Sequence, residues 1–122
     1  MTLLVVDDEE DCIATLALAL ETLPGVVIHP ALSAEAALAD LENDTFSAVI
    51  TDVHLPEMTG LELVARIREN PRFRSLPVVV LSADADPSTP ARALGLGANA
   101  YFAKPFSPSA MRKKLEELIH GS

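Results

Sequence analysis

Four apolar runs of strand length punctuate this chain, and each stops abruptly at polar residues. Leu3 to Val6 ends at Asp7-Asp8, the run from about Ser47 to Thr51 ends at Asp52, Pro77 to Leu81 ends at Ser82, and Tyr101 to Ala103 ends at Lys104-Pro105. The longer stretches between them carry apolar residues at helical spacing, so strand and helix alternate along the chain. That alternation predicts an α/β fold with a parallel sheet and helices on both faces. Ligands of such sheets bind beyond the carboxyl ends of the strands. Four strand ends therefore bring Asp7, Asp8, Asp52, Ser82 and Lys104 to one edge.

Local signals bound the remaining elements. The first helix is expected from about Glu10 to Leu23, stopped by Pro24-Gly25, with Ile13, Leu16, Ala17 and Leu20 facing the sheet. Val26 to His29 reads as a short second strand. Ser33 can cap an Ala-rich second helix, Ala34 to Glu42, whose apolar face includes Ala37, Leu38 and Leu41. Thr59-Gly60-Leu61-Glu62 has the form of a capping box, opening a third helix that continues to Glu69 and stops at Asn70-Pro71. Pro77 to Leu81 shows no alternation, which marks a strand buried on both faces. Pro87, Pro90, Gly95 and Gly97 surround Ala91 to Leu96, so the fourth helix is expected to be short and weak. A fifth strand covers about Ala100 to Ala103. Ser107 and Pro108 open a last helix with Met111, Leu115, Leu118 and Ile119 as its buried stripe.

At 122 residues the chain fits one domain, residues 1–122, able to bury about two thirds of its unfolded surface without disulfide or metal staples. A net charge of −9 and a pI near 4.6 oppose direct binding to nucleic acid or to an anionic membrane. Cys12 is the single cysteine, which excludes an internal disulfide and fits a reducing compartment. There is no apolar span of about 18 residues and no basic leader before an apolar segment, so a cytoplasmic location is expected.

Taken singly, each polar residue at the sheet edge has an ordinary explanation. Asp7 or Asp8 could cap the first helix, Asp52 and Ser82 could open turns, and Lys104 could be solvated. Jointly these explanations fail. Carboxylates gathered at one edge repel by about 4 kcal/mol per pair at about 4 Å and an effective dielectric of about 20, so something cationic belongs there. The donors are oxygens, with no Cys or His at metal-ligand spacing, and a hard divalent ion such as Mg²⁺, with Mn²⁺ as a substitute, is the expected partner. A carboxylate beside such an ion, a lysine and a hydroxyl suits nucleophilic attack on a phosphoryl group. Asp7 and Asp8 would hold the metal, Ser82 and Lys104 would contact phosphoryl oxygens, and Asp52 would become the aspartyl phosphate.

The ordered set of Asp7-Asp8, Asp52 within Ile50-Thr51-Asp52-Val53-His54-Leu55-Pro56-Glu57-Met58-Thr59-Gly60, Ser82-Ala83, and Lys104-Pro105-Phe106 resembles the receiver domain of two-component response regulators, the chemotaxis regulators among them. The resemblance spans the whole chain. It implies a doubly wound, flavodoxin-like (βα)5 fold with strand order 2-1-3-4-5. It further implies phosphoryl transfer to Asp52 from a histidine kinase or a histidine phosphotransfer protein. Asp52 itself and the backbone carbonyl of His54 would join the metal, the Lys104–Pro105 bond would be cis, and Ser82 and Tyr101 would act as switch residues. Such a module catalyses only its own phosphorylation and dephosphorylation and is not otherwise an enzyme. His54 and Asp84 fall where family members tune the lifetime of the phosphate.

The implied output is a change on the face formed by the fourth helix, fifth strand and fifth helix, with Arg92, Tyr101 and Arg112 among its contacts with a downstream protein target or output domain. Leu18, on the exposed side of the first helix, is a candidate for docking the phosphodonor. The expected state is a monomer, with dimerisation on phosphorylation as an option, and the chain is expected to work either alone, as a diffusible regulator or phosphorelay shuttle, or as the receiver of a longer protein. Two other functions compete. A Mg²⁺-dependent aspartate-nucleophile phosphatase of the haloacid dehalogenase type would need two aspartates spaced two residues apart after the first strand, and Asp7-Asp8-Glu9-Glu10 lacks that spacing. A flavodoxin-like cofactor binder would need a Gly- or Ser/Thr-rich phosphate loop there.

Overall fold

The computed structural model describes residues 1–121. Five strands, β1 (Thr2–Val6), β2 (Val27–Ala31), β3 (Ala48–Asp52), β4 (Val78–Ser82) and β5 (Ala100–Ala103), form one parallel sheet. Their order is β2-β1-β3-β4-β5, as the resemblance implied. The helices are α1 (Glu10–Leu20), α2 (Ala34–Asn43), α3 (Gly60–Glu69), α4 (Thr89–Gly95) and α5 (Pro108–His120), with a 3₁₀ turn at Pro71–Phe73.

Alternate residues of each strand point to opposite faces, and the core is split accordingly. Leu4, Val6, Val49, Val78 and Val80 pack with α2, α3 and α4 through Ala37, Leu41, Val64, Ile67 and Ala93. On the other face Leu3, Val5, Ile50, Val79 and Leu81 meet Leu16 and Leu20 of α1 and Met111 and Leu115 of α5. Each of the buried Val, Leu, Ile and Met side chains contributes about 1.5–3 kcal/mol relative to exposure. All of β4 is buried, as its lack of alternation predicts.

The caps explain where helices begin. Ser33 Oγ accepts from the Ala36 N–H at 3.0 Å, and Ser107 Oγ accepts from the Ala110 N–H at 3.3 Å. Thr59 and Glu62 make the full reciprocal box. Three elements differ from the sequence expectation by two residues or more at one end, and other boundaries move by one. α1 ends at Leu20 instead of Leu23, because Pro24 disfavours helical backbone in the residue before it; Leu23 N–H bonds back to the Leu20 carbonyl in a tight turn and stays buried. β2 runs from Val27 to Ala31 instead of Val26 to His29 and includes Pro30, which an edge strand tolerates because one side of its ladder is free. α4 starts at Thr89 instead of Ala91, since Pro90 within the first turn has no N–H bond to lose there.

Candidate functional site

β3 delivers Asp52 as its last residue, β1 delivers Asp7 one residue beyond its end, and β5 is followed directly by Lys104. Backbone pairing continues past the apolar runs: the Lys104 N–H donates to the Ser82 carbonyl at 2.8 Å and the Val53 N–H to the Leu81 carbonyl at 3.0 Å. The ladder therefore extends to where the charges sit.

Lys104 Nζ lies 3.0 Å from Asp52 Oδ2 and 3.4 Å from Asp7 Oδ2, so one ammonium serves both carboxylates. Asp7 is 5% exposed; its Oδ1 accepts from the Glu9 N–H at 3.0 Å. Burial pushes the Asp7 carboxyl above its ordinary range, against the Glu9 N–H and Lys104, which favour its charge. Burial also disfavours the Lys104 ammonium, but the hydrogen bond and charge of Asp52, with the charge of Asp7, outweigh it and hold Lys104 above its ordinary value. The His54 N–H donates to Asp52 Oδ1 at 3.3 Å. Ser82, fully buried, ends the strand between Asp52 and Lys104.

A trough of about 620 Å³ opens from this mouth and runs between α1 and α5. Its floor is the sheet face at Val5, Ile50 and Leu81, and it exists because α1 presents the small side chains of Cys12, Thr15 and Ala19 to it. Burial pushes the Cys12 thiol up, with Asp7 adding to the shift.

The family model of the response regulator receiver domain matches residues 3–116. The chain belongs to the response regulator receiver family. Similar proteins include chemotaxis protein CheY1 of Helicobacter pylori, 32% identical over 98% of this chain and 97% of that one. Among solved structures, a candidate response regulator of Chloroflexus aurantiacus superposes with a TM-score of 0.91 at 34% identity, covering 98% of this chain and 97% of the other. Chemotaxis response regulator CheY4 of Vibrio cholerae superposes with a TM-score of 0.84 at 27% identity, covering 96% and 97%. Receivers are signalling domains that interact with kinases and downstream targets, and the family generally uses a divalent metal. Membership separates this receiver from the phosphatase and the flavodoxin-like binder.

The residues singled out in the sequence do not all converge. Asp7, Asp52 and Lys104 touch. Asp8 is exposed at the same strand end, and among the described residues no three acidic, His or Cys side chains gather tightly enough to hold a metal. The ammonium of Lys104 is what Asp7 and Asp52 share. The donors nevertheless fit a hard divalent ion: all are oxygens, and Asp7 is a buried carboxylate that a further nearby cation would favour. Ser82 Oγ accepts from the Asp84 N–H at 2.9 Å and, among the described residues, makes no hydrogen bond to Asp52. The His54 ring is exposed and faces Asp84, Nε2 to Oδ2 3.3 Å. The Lys104–Pro105 bond is cis. No helix among the described residues is long and apolar enough to cross a membrane.

On the expected output face, Arg92 is exposed and Tyr101 is partly buried against the core beside α4. Arg112 is a correction. Its Nη1 donates to the Ala19 carbonyl at 2.7 Å, so this residue of α5 faces α1 and the trough. Two further residues take part: Gly60, already within the motif, where a β carbon would overlap the Asp52 carbonyl oxygen, and Arg68, which carries no local signal in the sequence and ties three segments together.

Proposed function

We propose that this receiver accepts a phosphoryl group on Asp52 from a phosphorylated histidine of a kinase or phosphotransfer protein. The observation that carries the reading is the shared ammonium, Lys104 Nζ at 3.0 Å from Asp52 and 3.4 Å from Asp7, on a mouth that opens to solvent. One Asp52 oxygen attacks phosphorus as the bond to the donor imidazole nitrogen breaks, and its electron pair returns to that imidazole. The transition state gathers charge on the phosphoryl oxygens, so positioning and charge neutralisation dominate. Lys104 is placed to move its hydrogen bond from the Asp52 carboxylate to a phosphoryl oxygen, and Ser82 can supply a second donor after its hydroxyl turns inward. Mg²⁺, held by Asp7, Asp8, Asp52 and the His54 carbonyl, would neutralise the remaining charge when bound.

The trough between α1 and α5 supports docking of the phosphodonor there. It adjoins Asp52, is floored by apolar side chains and is bordered by Leu18, which is 66% exposed. The signal would leave through α4, β5 and α5 towards a downstream partner. The test is intact mass after incubation with acetyl phosphate and Mg²⁺. One phosphate should be gained, and the gain should vanish in Asp52→Asn and with EDTA; a phosphate retained by Asp52→Asn overturns the assignment.

A further inference from the structure

The trough between α1 and α5 has its charges sorted along its length. α1 runs away from the sheet edge that carries Asp52, so Asp11 lines the trough near its mouth and Ala19 lines the far end, about 12 Å further along the helix at about 1.5 Å per residue. Two cations line it, Lys104 at the mouth and Arg112. Lys104 Nζ is already held by Asp52 at 3.0 Å and by Asp7 at 3.4 Å. Arg112 is half-buried, and its Nη1 donates to the Ala19 carbonyl at 2.7 Å, which places the guanidinium at the far end. Among the described residues it forms no ion pair, although the chain has 18 Asp and Glu.

Between these charged ends the lining is apolar, with Val5, Ile50 and Leu81 of the sheet, Leu16 of α1, and Phe106 and Pro108 beside α5. The volume of about 620 Å³ falls among those of sites for small organic molecules, which are mostly apolar and use a few polar groups to orient the ligand. A half-buried guanidinium without a protein anion attracts one from outside. Asp7, Asp11 and Asp52 at the other end keep a second negative group away from the mouth.

We propose that the trough binds an amphiphilic monoanion, a small molecule with a single carboxylate at one end of an elongated apolar body. Its carboxylate sits on Arg112 and its body lies along the sheet face towards Cys12. The N–H groups of Arg112 other than the one on Ala19 offer the forked geometry that carboxylates accept. A ligand charged at both ends is rejected at the mouth, and one without an anionic end leaves Arg112 unanswered. An occupied trough is closed to a phosphodonor; that consequence rests on the docking reading above, whereas the binding itself does not.

Cys12 is the single cysteine and lines the trough towards its mouth, so its alkylation by N-ethylmaleimide reports occupancy on the full chain. Octanoate should slow the reaction several-fold, with a saturating dependence on concentration. Octanol, which has the body without the charge, should need at least about tenfold more for the same protection, the scale of one hydrogen bond to a charged group. Acetate, which has the charge without the body, should give no protection. Arg112→Gln should bring octanoate down to the level of octanol, and Ala19→Phe, which fills the far end without a change of charge, should weaken both. Equal protection by octanoate and octanol in the wild type overturns the proposal, as does octanoate protection undiminished in Arg112→Gln or in Ala19→Phe, or an absence of protection by octanoate. The wild-type comparison of octanoate with octanol decides even if a variant fails to fold, and no phosphate enters it, so its outcome is separate from that of Asp52 labelling.

Discussion

Gly60 and Asp52 approach so closely that a β carbon on Gly60 would overlap the Asp52 carbonyl oxygen. The Gly60 N–H also donates to the Val53 carbonyl at 2.8 Å, so α3 begins stapled to the segment that immediately follows Asp52. The neighbour that would have to yield is backbone in the central strand, which cannot turn aside as a side chain can. Gly60→Ala should therefore destabilise the protein by about 1–3 kcal/mol, the usual range for overpacking. It should also slow labelling of Asp52 by acetyl phosphate, since relief of the clash moves the carboxylate. Urea unfolding and intact-mass kinetics check the two parts; an unchanged midpoint would show that α3 can shift freely.

Glu57, in the loop between Asp52 and α3, has φ +63° and is the non-glycine residue with positive φ among the described residues. Left-handed backbone costs an L residue with a β carbon about 1–2 kcal/mol, and glycine escapes that cost at about 0.5–1 kcal/mol of extra chain entropy. Glu57→Asn, which visits this region more readily and keeps a side chain, should raise stability by about 0.5–1 kcal/mol. A urea midpoint that falls would mean that Glu57 makes a compensating interaction.

The strands were legible in the sequence because burial on both faces leaves continuous apolar runs, and their convergence was legible because a parallel sheet places every carboxyl end on one edge. Asp52 and Ser82 lie inside their strands, one residue later than the apolar runs imply, because ladder hydrogen bonds are indifferent to polarity. The touching of Lys104, Asp7 and Asp52 follows from topology alone. The bond from Arg112 to Ala19 and the links from Asp84 to Thr89 and His54 do not. They depend on the rotation of α5 about its axis and on irregular loop backbone, neither of which leaves a periodic trace. The exposed position of Asp8 was hidden for a related reason: adjacent residues past a strand end diverge, so an acidic pair seldom points both carboxylates the same way.

The opposed charges of the site give a pH signature. The folded Asp7 carboxyl titrates above its ordinary 3.8 because of burial, so the folded state holds that proton more tightly than the unfolded chain does. Its contribution to stability consequently falls as pH rises from the ordinary carboxylate value through the raised one, and at neutral pH the charged form is a net burden. Lys104 behaves oppositely: raised above 10.5, it contributes stability that is complete below that value and is lost as pH climbs through the folded one. Asp7→Asn should stabilise the metal-free protein at pH 7 by about 1 kcal/mol, and the gain should shrink towards pH 4. A gain that is larger in acid would reverse the sign assigned to Asp7. The same variant should bind Mg²⁺ more weakly, separating stability from function at one residue.

Isolated exposed leucines are ordinary on protein surfaces, but Leu18 borders a trough whose apolar floor ends at Asp52. A donor helix laid over α1 and the segment of Phe106 and Pro108 would cover Leu18 and bring its phosphohistidine to the mouth. Burying one leucine side chain is worth about 1.5–3 kcal/mol, so Leu18→Lys should slow transfer from a phosphorylated cognate kinase by at least about tenfold. Acetyl phosphate needs no such surface, and its labelling rate should stay at the wild-type level because Leu18 touches none of Asp7, Asp52 or Lys104 by hydrogen bond or ion pair. The two donors, measured side by side on the same preparation, make the comparison independent of folding yield. Equal kinase rates in wild type and Leu18→Lys would move the docking surface away from this face of α1, while a loss with both donors would place the damage in the fold.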